Sequence, residues 1–304
     1  MNSTGIQGVN VAALTPRRDD GRGVDLAAAL DLIDHLCQSG VSGIALLGAT
    51  GEFPHYNPED RAHLVQFAVK RSSVPVIANV SHSSLDTTVW LAREVVAHGA
   101  AALLVMPPYF FRYSQESIKE FYLRLAVALG NTVPILLYNV PSFTNEISCE
   151  TAVELLSTGL FAGIKDSSGR LDNFRQMKAL RNRVPFKFLA GNDTVFAEAR
   201  SEGADGVISG VACALPELLL GLDRAILAGA SERRDRLETR LREFISRTEQ
   251  FPVPVGIREA TAVRGLETGP AAVPLGARAE QQLAGFRNWF RDWYPVAVKE
   301  ASAG

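Results

Sequence analysis

Cysteine is scarce in this chain. Cys37, Cys149 and Cys213 are odd in number and far apart, so neither a disulfide framework nor a Cys-x-x-Cys metal site follows from them, and a reducing cytoplasm is the expected compartment. An excess of charge of one sign is also lacking. A net charge of −2 across 304 residues leaves no electrostatic footprint for nucleic acid or an anionic membrane as partner. No uninterrupted apolar stretch is long enough to span a bilayer, and residues 1–8 lack the basic-then-apolar pattern of a signal peptide. His35, His63, His82 and His98 show no metal-ligand grouping. Lysine is rare among the cations, with six (Lys70, Lys119, Lys165, Lys178, Lys187 and Lys299) in 31 basic residues. Where arginine serves as the ordinary surface cation, a lysine at a strand end points to the chemistry of an amine.

What the chain does have is alternation. Short apolar runs at residues 9–14, 43–47, 75–80, 101–106, 134–138, 161–164, 186–190 and 206–208 are separated by amphipathic segments such as 25–38, 58–72, 84–98, 114–129 and 171–181. Continuous apolar runs suit parallel strands covered on both faces. The amphipathic segments carry helix signals: Asn57 before Pro58, Ser84 before Leu85, Ser114 with Glu116, and terminal glycines at Gly40, Gly99 and Gly130. Eight strands alternating with helices over about two hundred residues predict an α/β fold, a (β/α)8 TIM barrel. A doubly wound open sheet is the competitor, but the first strand runs into Leu14-Thr-Pro-Arg-Arg18 without a Gly-rich phosphate loop. Residues 215–229, 231–250, 254–265 and 279–294 read as further helices, with Phe251-Pro-Val-Pro254 as a break. The barrel needs only the first. The expected division is therefore 1–230 for the barrel with its active site and 231–304 for a C-terminal helical region.

Active sites of such barrels lie at the C-terminal ends of the strands. Lys165, after the apolar run 161–164, is the most informative residue there. Burial disfavours its ammonium form, and the neutral amine can attack a ketone to form a Schiff base. A lysine snorkelling from the strand end to water is the competing reading. Strand two ends in Gly48-Ala-Thr-Gly-Glu52, whose glycines are expected to let the backbone turn tightly and present amide N–H groups while Thr50 adds a hydroxyl, so that the turn, Ala49 and Thr50 included, can hold a carboxylate. Strand five ends in Tyr138-Asn-Val-Pro-Ser142, and Tyr138 can donate or relay a proton. Strand seven ends in Gly191-Asn-Asp193 and strand eight in Ile208-Ser-Gly210; Gly191 and Ile208 are expected to supply backbone contacts and a wall.

Taken together, Gly48-Ala-Thr-Gly-Glu52, Tyr138-Asn-Val-Pro-Ser142, Gly163-Ile-Lys165-Asp and Gly206-Val-Ile-Ser209 resemble, in order and spacing, the family of dihydrodipicolinate synthase and N-acetylneuraminate lyase. The resemblance covers the whole chain. It implies class I aldolase chemistry on pyruvate or another 2-oxo acid and a homotetramer built as a dimer of dimers. It also implies that Lys165 is the Schiff-base lysine, Tyr138 the proton shuttle and Thr50 with its neighbouring amides the carboxylate clamp. No cofactor or metal is implied, because the protonated imine is itself the electron sink.

Three positions depart from the synthase pattern. Ala49 replaces a relay threonine. Phe110 aligns with a tyrosine that reaches the neighbouring subunit's site, with Tyr109 one residue earlier as a candidate relay. Phe143 replaces an arginine at the mouth. These departures point away from lysine biosynthesis. The continuation Phe53-Pro-His-Tyr56 resembles the 4-hydroxy-2-oxoglutarate aldolase and 2-keto-3-deoxy sugar acid branches; His55 is expected to pack on Tyr56, with a place facing the substrate mouth as the alternative. The expected activity is reversible cleavage of a 4-hydroxy-2-oxo acid or 2-keto-3-deoxy sugar acid to pyruvate and an aldehyde. Dehydration of a 2-keto-3-deoxy sugar acid uses the same imine. A 4-hydroxy-tetrahydrodipicolinate synthase with an altered relay and a non-catalytic protein that binds a 2-oxo acid complete the range of activities the motifs allow.

Overall fold

A computed structural model describes residues 6–303. Residues 1–5, most of the segment read for a signal peptide, lie outside them. Eight parallel strands close in sequence order: β1 (Gly8–Ala12), β2 (Gly43–Leu46), β3 (Val76–Asn79), β4 (Ala102–Val105), β5 (Ile135–Asn139), β6 (Gly163–Asp166), β7 (Lys187–Ala190) and β8 (Gly206–Ser209), with β8 pairing back onto β1. The helices between them are α1 (Leu26–Gln38), α2 (Pro58–Arg71), α3 (Leu85–Ala97), α4 (Gln115–Leu129), α5 (Cys149–Ser157), α6 (Leu171–Lys178) and α7 (Phe196–Ser201). The chain is a (β/α)8 barrel, and all eight expected strands are present. Every strand residue is buried except Gly8 and Lys187, as expected for strands with side chains in the barrel and helices outside.

Some boundaries move for physical reasons. Pro75 and Pro134 were expected inside strands, but proline has no N–H for the ladder. Each lies one residue before its strand and contributes only a carbonyl, which accepts from Ile44 at 3.0 Å and from Leu103 at 2.9 Å respectively. Strand six was expected to stop at Ile164; it runs on through Lys165 and Asp166. The two charged residues fit because β5 places Tyr138 beside Lys165 and Asn139 beside Asp166. The Asn139 side-chain amide donates to Asp166 at 3.0 Å.

Helix starts follow the capping residues. The side chains of Asp25, Asn57, Ser84, Ser114 and Ser148 accept from backbone amides three residues on, which satisfies N–H groups the first turn leaves open. After β8 come α8 (Val211–Ala214), α9 (Pro216–Leu227), α10 (Ser231–Thr248), α11 (Val255–Val263) and α12 (Ala277–Ser302). α12 extends beyond the expected residue 294 and contains Pro295. The hydrogen bond that proline forfeits is offset by packing of the helix tail, where Ala297 and Ala301 are fully buried and Arg233 donates to the Ala301 carbonyl at 2.8 Å. Among the described residues, no helix is long and apolar enough to cross a membrane.

Candidate active site

The register of β5 and β6 sets the site. Tyr138 and Lys165 are neighbours across the ladder and point to the same side, while Asn139 and Asp166, one residue on, point to the other. Lys165 is 3 % exposed. Its Nζ lies 3.3 Å from the Tyr138 hydroxyl and 4.3 Å from the centre of that ring. Asp166, adjacent in sequence, is not its counter-ion: its carboxylate accepts from Asn139, Ser168 and Asn173. Among the described residues, no carboxylate lies within ion-pair distance of Lys165.

Gly191 makes room for the lysine. A Cβ there would stand 2.1 Å from the Ser167 hydroxyl and 2.9 Å from Cε of Lys165, so any larger residue would displace both side chains. The strand-two turn is tight in a different way from that expected. Its positive φ values fall on Leu47 (61°) and Glu52 (52°), not on its glycines. Gly51 is needed for closeness instead, since a Cβ would meet the Leu47 backbone nitrogen at 2.8 Å. Within the turn Glu52 N donates to the Ala49 carbonyl at 3.1 Å, while the Ala49 and Thr50 amides have no protein acceptor among the described residues.

These residues surround a cavity of about 330 Å³. The structure brings Lys165, Tyr138, Ala49, Thr50, Gly191 and Ile208 together on its wall, all six residues singled out for catalysis or substrate contact. An outer chamber of about 320 Å³ adjoins it, lined by Phe53, Pro54, Met106 and Tyr109, and the two share Ala49, Phe143 and Val253. Tyr109 therefore belongs to the outer chamber and Phe143 to the boundary. Phe110 lines neither; it is 89 % exposed with φ 82°. His55 takes the alternative placement rather than packing on Tyr56, being exposed on the wall of the outer chamber. The Tyr56 ring turns the other way, under the Arg17 guanidinium, with its hydroxyl donating to the Thr15 carbonyl at 3.1 Å. The C-terminal region also contributes to the wall, through Ile245, Thr248 and Glu249 at the end of α10 and Ile257 of α11.

Two polar groups in the cavity are not marked as ligands by the sequence. Ser167 Oγ and Asp193 Oδ1 are buried without any hydrogen-bond partner, and both residues line the cavity with Lys165. Unpartnered buried polar atoms are uncommon and costly. Burial pushes the Asp193 carboxyl up to about 6, against the pull of hydrogen bonds from Ser209 and Val211 and of the Lys165 charge. The place of Asp193 just after Gly191, at the end of strand seven, is the one sequence signal that could have found it. Among the described residues, no group of three or more His, Cys, Asp or Glu side chains is arranged to hold a metal.

A closed barrel carrying a buried lysine beside a tyrosine, facing a polar cavity at the strand C-termini, has the form of an enzyme of the (β/α)8 class. Residues 5–290 match the model of the dihydrodipicolinate synthetase family. The chain is 32 % identical over 274 residues to an uncharacterised DapA-like lyase of Halobacterium salinarum, covering 89 % of this chain and 88 % of that one. It superposes with TM-score 0.85 and 27 % identity on the dihydrodipicolinate synthase from Acinetobacter baumannii complexed with pyruvate, covering 97 % and 99 % of the two chains. A sialic acid aldolase of Ruminococcus gnavus, in its catalytic lysine mutant, shares the fold at TM-score 0.87 and 23 % identity, with 98 % and 99 % covered. This chain belongs to the dihydrodipicolinate synthetase family, and its class is that of the family's aldolase-type lyases.

Proposed function

We propose that this protein is a Schiff-base lyase that reversibly cleaves a 2-keto-3-deoxy sugar acid, or a related 4-hydroxy-2-oxo acid, to pyruvate and an aldehyde. The observation that carries the reading is the buried Lys165 amine, 3.3 Å from the Tyr138 hydroxyl, in a cavity that also presents the unpartnered Ser167 Oγ and Asp193 Oδ1. Pyruvate bound to the A. baumannii synthase supports a 2-oxo acid as the ligand.

In this mechanism the Lys165 amine attacks C2 of the substrate, and loss of water leaves an iminium. Electrons from the C3–C4 bond flow into the iminium as that bond breaks, giving an enamine and the aldehyde. Tyr138 moves the proton, and hydrolysis of the imine, after protonation at C3, releases pyruvate. The substrate carboxylate sits against the Thr50 hydroxyl and the amides of Ala49 and Thr50. Hydroxyls further along the chain satisfy Ser167 and Asp193, whose cost of lying unpaired is thereby removed on binding. Dehydration would retain the imine but expel the C4 hydroxyl, a step that needs a proton donor. Burial raises the Asp193 carboxyl to about 6, and in its charged form it accepts from the C4 hydroxyl, the proton movement that cleavage requires. The proposal includes a homotetramer, in which the exposed Phe110 meets a neighbouring copy.

A panel of 2-keto-3-deoxy acids, assayed for pyruvate and for dehydrated product, tests the reading. Pyruvate should appear with an aldehyde in equal amount; a dehydrated product retaining all its carbons would replace cleavage by the runner-up.

Asp193 gives a second check with a definite sign. Its folded value of about 6 lies above the usual carboxyl value near 4. The wild type therefore bears a folding penalty above pH 6, which fades between pH 6 and 4 and is absent below. Asp193→Asn should stabilise the protein at pH 8 by on the order of 2–3 kcal/mol, with the advantage vanishing by about pH 4. The same variant should lose about 10- to 100-fold in pyruvate release from hydroxylated substrates. Thermal melts across this pH range, paired with the pyruvate assay, measure both. A variant no more stable at pH 8 than at pH 4, relative to wild type, would show that this carboxyl is not held against its charge.

A further inference from the structure

The turn that carries Ala49 and Thr50 is not held by the barrel alone. Glu52 ends it in a left-handed conformation, φ 52°, and its carboxylate pairs with Arg258 of α11, 206 residues away. The pair is buried, with the Glu52 side chain 10 % and that of Arg258 6 % exposed. The same guanidinium donates to the Thr268 carbonyl and, at 3.3 Å, to that of Thr15. Thr15 closes the loop, since its hydroxyl donates to the Gly51 carbonyl at 2.8 Å. One cation thus ties together the segment after β1, the strand-two turn and the C-terminal region. Gly51 and Glu52, the two residues following Thr50, are both anchored by it, one directly and one through Thr15.

We infer that Glu52 and Arg258 are positioning residues for substrate carboxylate recognition. The pair fixes the last two residues of the turn, and through them the direction of the Thr50 hydroxyl and of the Ala49 and Thr50 amides, which have no acceptor among the described residues. Donors aimed in advance at a carboxylate bind it without reorganising. A turn left free at Glu52 would lose that aim while leaving Lys165 and Tyr138, on β6 and β5, where they are. The consequence is selective: affinity for ketones that carry a carboxylate depends on the pair, and affinity for ketones without one does not. This inference rests on the reading of Lys165 as the imine-forming amine and of the strand-two turn as the carboxylate clamp.

The test uses the full chain with two ketones, pyruvate and its methyl ester, and reads the concentration of each that gives half-maximal borohydride-trapped adduct at Lys165. The variants are Glu52→Gln, which removes charge with little change in volume, and Arg258→Lys, which keeps the charge but not the forked geometry. Arg264→Lys serves as a control, because Arg264 pairs with Glu217 in a similarly secluded place that borders neither chamber. Glu52→Gln should raise the half-saturating pyruvate concentration at least about tenfold, leave the value for the ester within about twofold, and still reach one adduct per chain at saturation. Arg258→Lys should recover part of the preference, and the control should not move it. Equal shifts for both ketones, no shift for either, or failure of both variants to fold would make the pair a structural bond and overturn the inference. Absence of any adduct in the wild type would instead overturn the Schiff-base reading, and the inference with it.

Discussion

Replacing Lys165 by alanine is expected to abolish the borohydride-trapped pyruvate adduct and to lower pyruvate release by at least about 10⁴-fold, the scale of loss seen when a covalent nucleophile is removed. In the wild type, pyruvate with borohydride should add one reduced pyruvyl group per chain, located by peptide mass at Lys165. The expectation rests on placement. The amine is at the end of a buried strand, 3 % exposed, without a carboxylate at ion-pair distance among the described residues and with a phenol hydroxyl at 3.3 Å. Lys165→Arg keeps a cation there but cannot form an imine, so it should be equally inactive, whereas a merely electrostatic role would be rescued by it. Tyr138→Phe should fall by about 10²–10⁴-fold, the usual range for a proton-transfer group, and still be trapped by borohydride on long incubation. Label on another lysine, with Lys165 unmodified, would end the mechanism.

Much of the barrel and its inner site is legible in the sequence, and the reason is local. The eight apolar runs mark the strands because a parallel strand is buried on both faces, so each announces itself without reference to its partners. Lys165, Tyr138 and Thr50 stand in short motifs at strand ends, where a barrel gathers its chemistry. What stays hidden depends on approach between distant residues. Ser167 is one serine among many until the Lys165 stem and the Gly191 backbone bury its hydroxyl unpartnered. Glu52 and Arg258 meet across 206 residues, and neither has a periodic or motif signal that names the other. The turn glycines invite an argument from positive φ, yet Leu47 and Glu52 carry it, because the pairing of Glu52 and the packing of Leu47 over-determine the backbone. The helix α7 does not stand out in the sequence, since six residues offer too few turns for a clear apolar stripe.

Condensation of pyruvate with aspartate semialdehyde should proceed more than tenfold below the usual enzymatic range of about 10⁴–10⁸ M⁻¹s⁻¹, even though the chain belongs to a family that includes the synthases. That reaction needs a relay of hydroxyls to the aldehyde oxygen and a cation for the second carboxylate. Ala49 lines both chambers with a methyl group where the synthase pattern has a hydroxyl. Phe110 offers no hydroxyl either. At the junction of the chambers stands Phe143, half exposed and uncharged. Lys165 is the only lysine or arginine on either wall among the described residues, and forming the imine uses it. Arg112, in the same loop as Phe110, is exposed and borders neither chamber. A second carboxylate beside Phe143 and Met106 would thus meet only the side chains of His55, Tyr109 and Thr144 as donors on the outer wall, without the lysine or arginine that would offset its desolvation. Phe143→Arg supplies the missing cation. It should strengthen binding of a dicarboxylate analogue by about 10- to 100-fold, while trapping of pyruvate at Lys165 stays within about twofold of wild type. If the arginine left dicarboxylate affinity unchanged and abolished the adduct instead, Phe143 would be a wall of the inner cavity, and the charge argument against the synthase reaction would fall with that result.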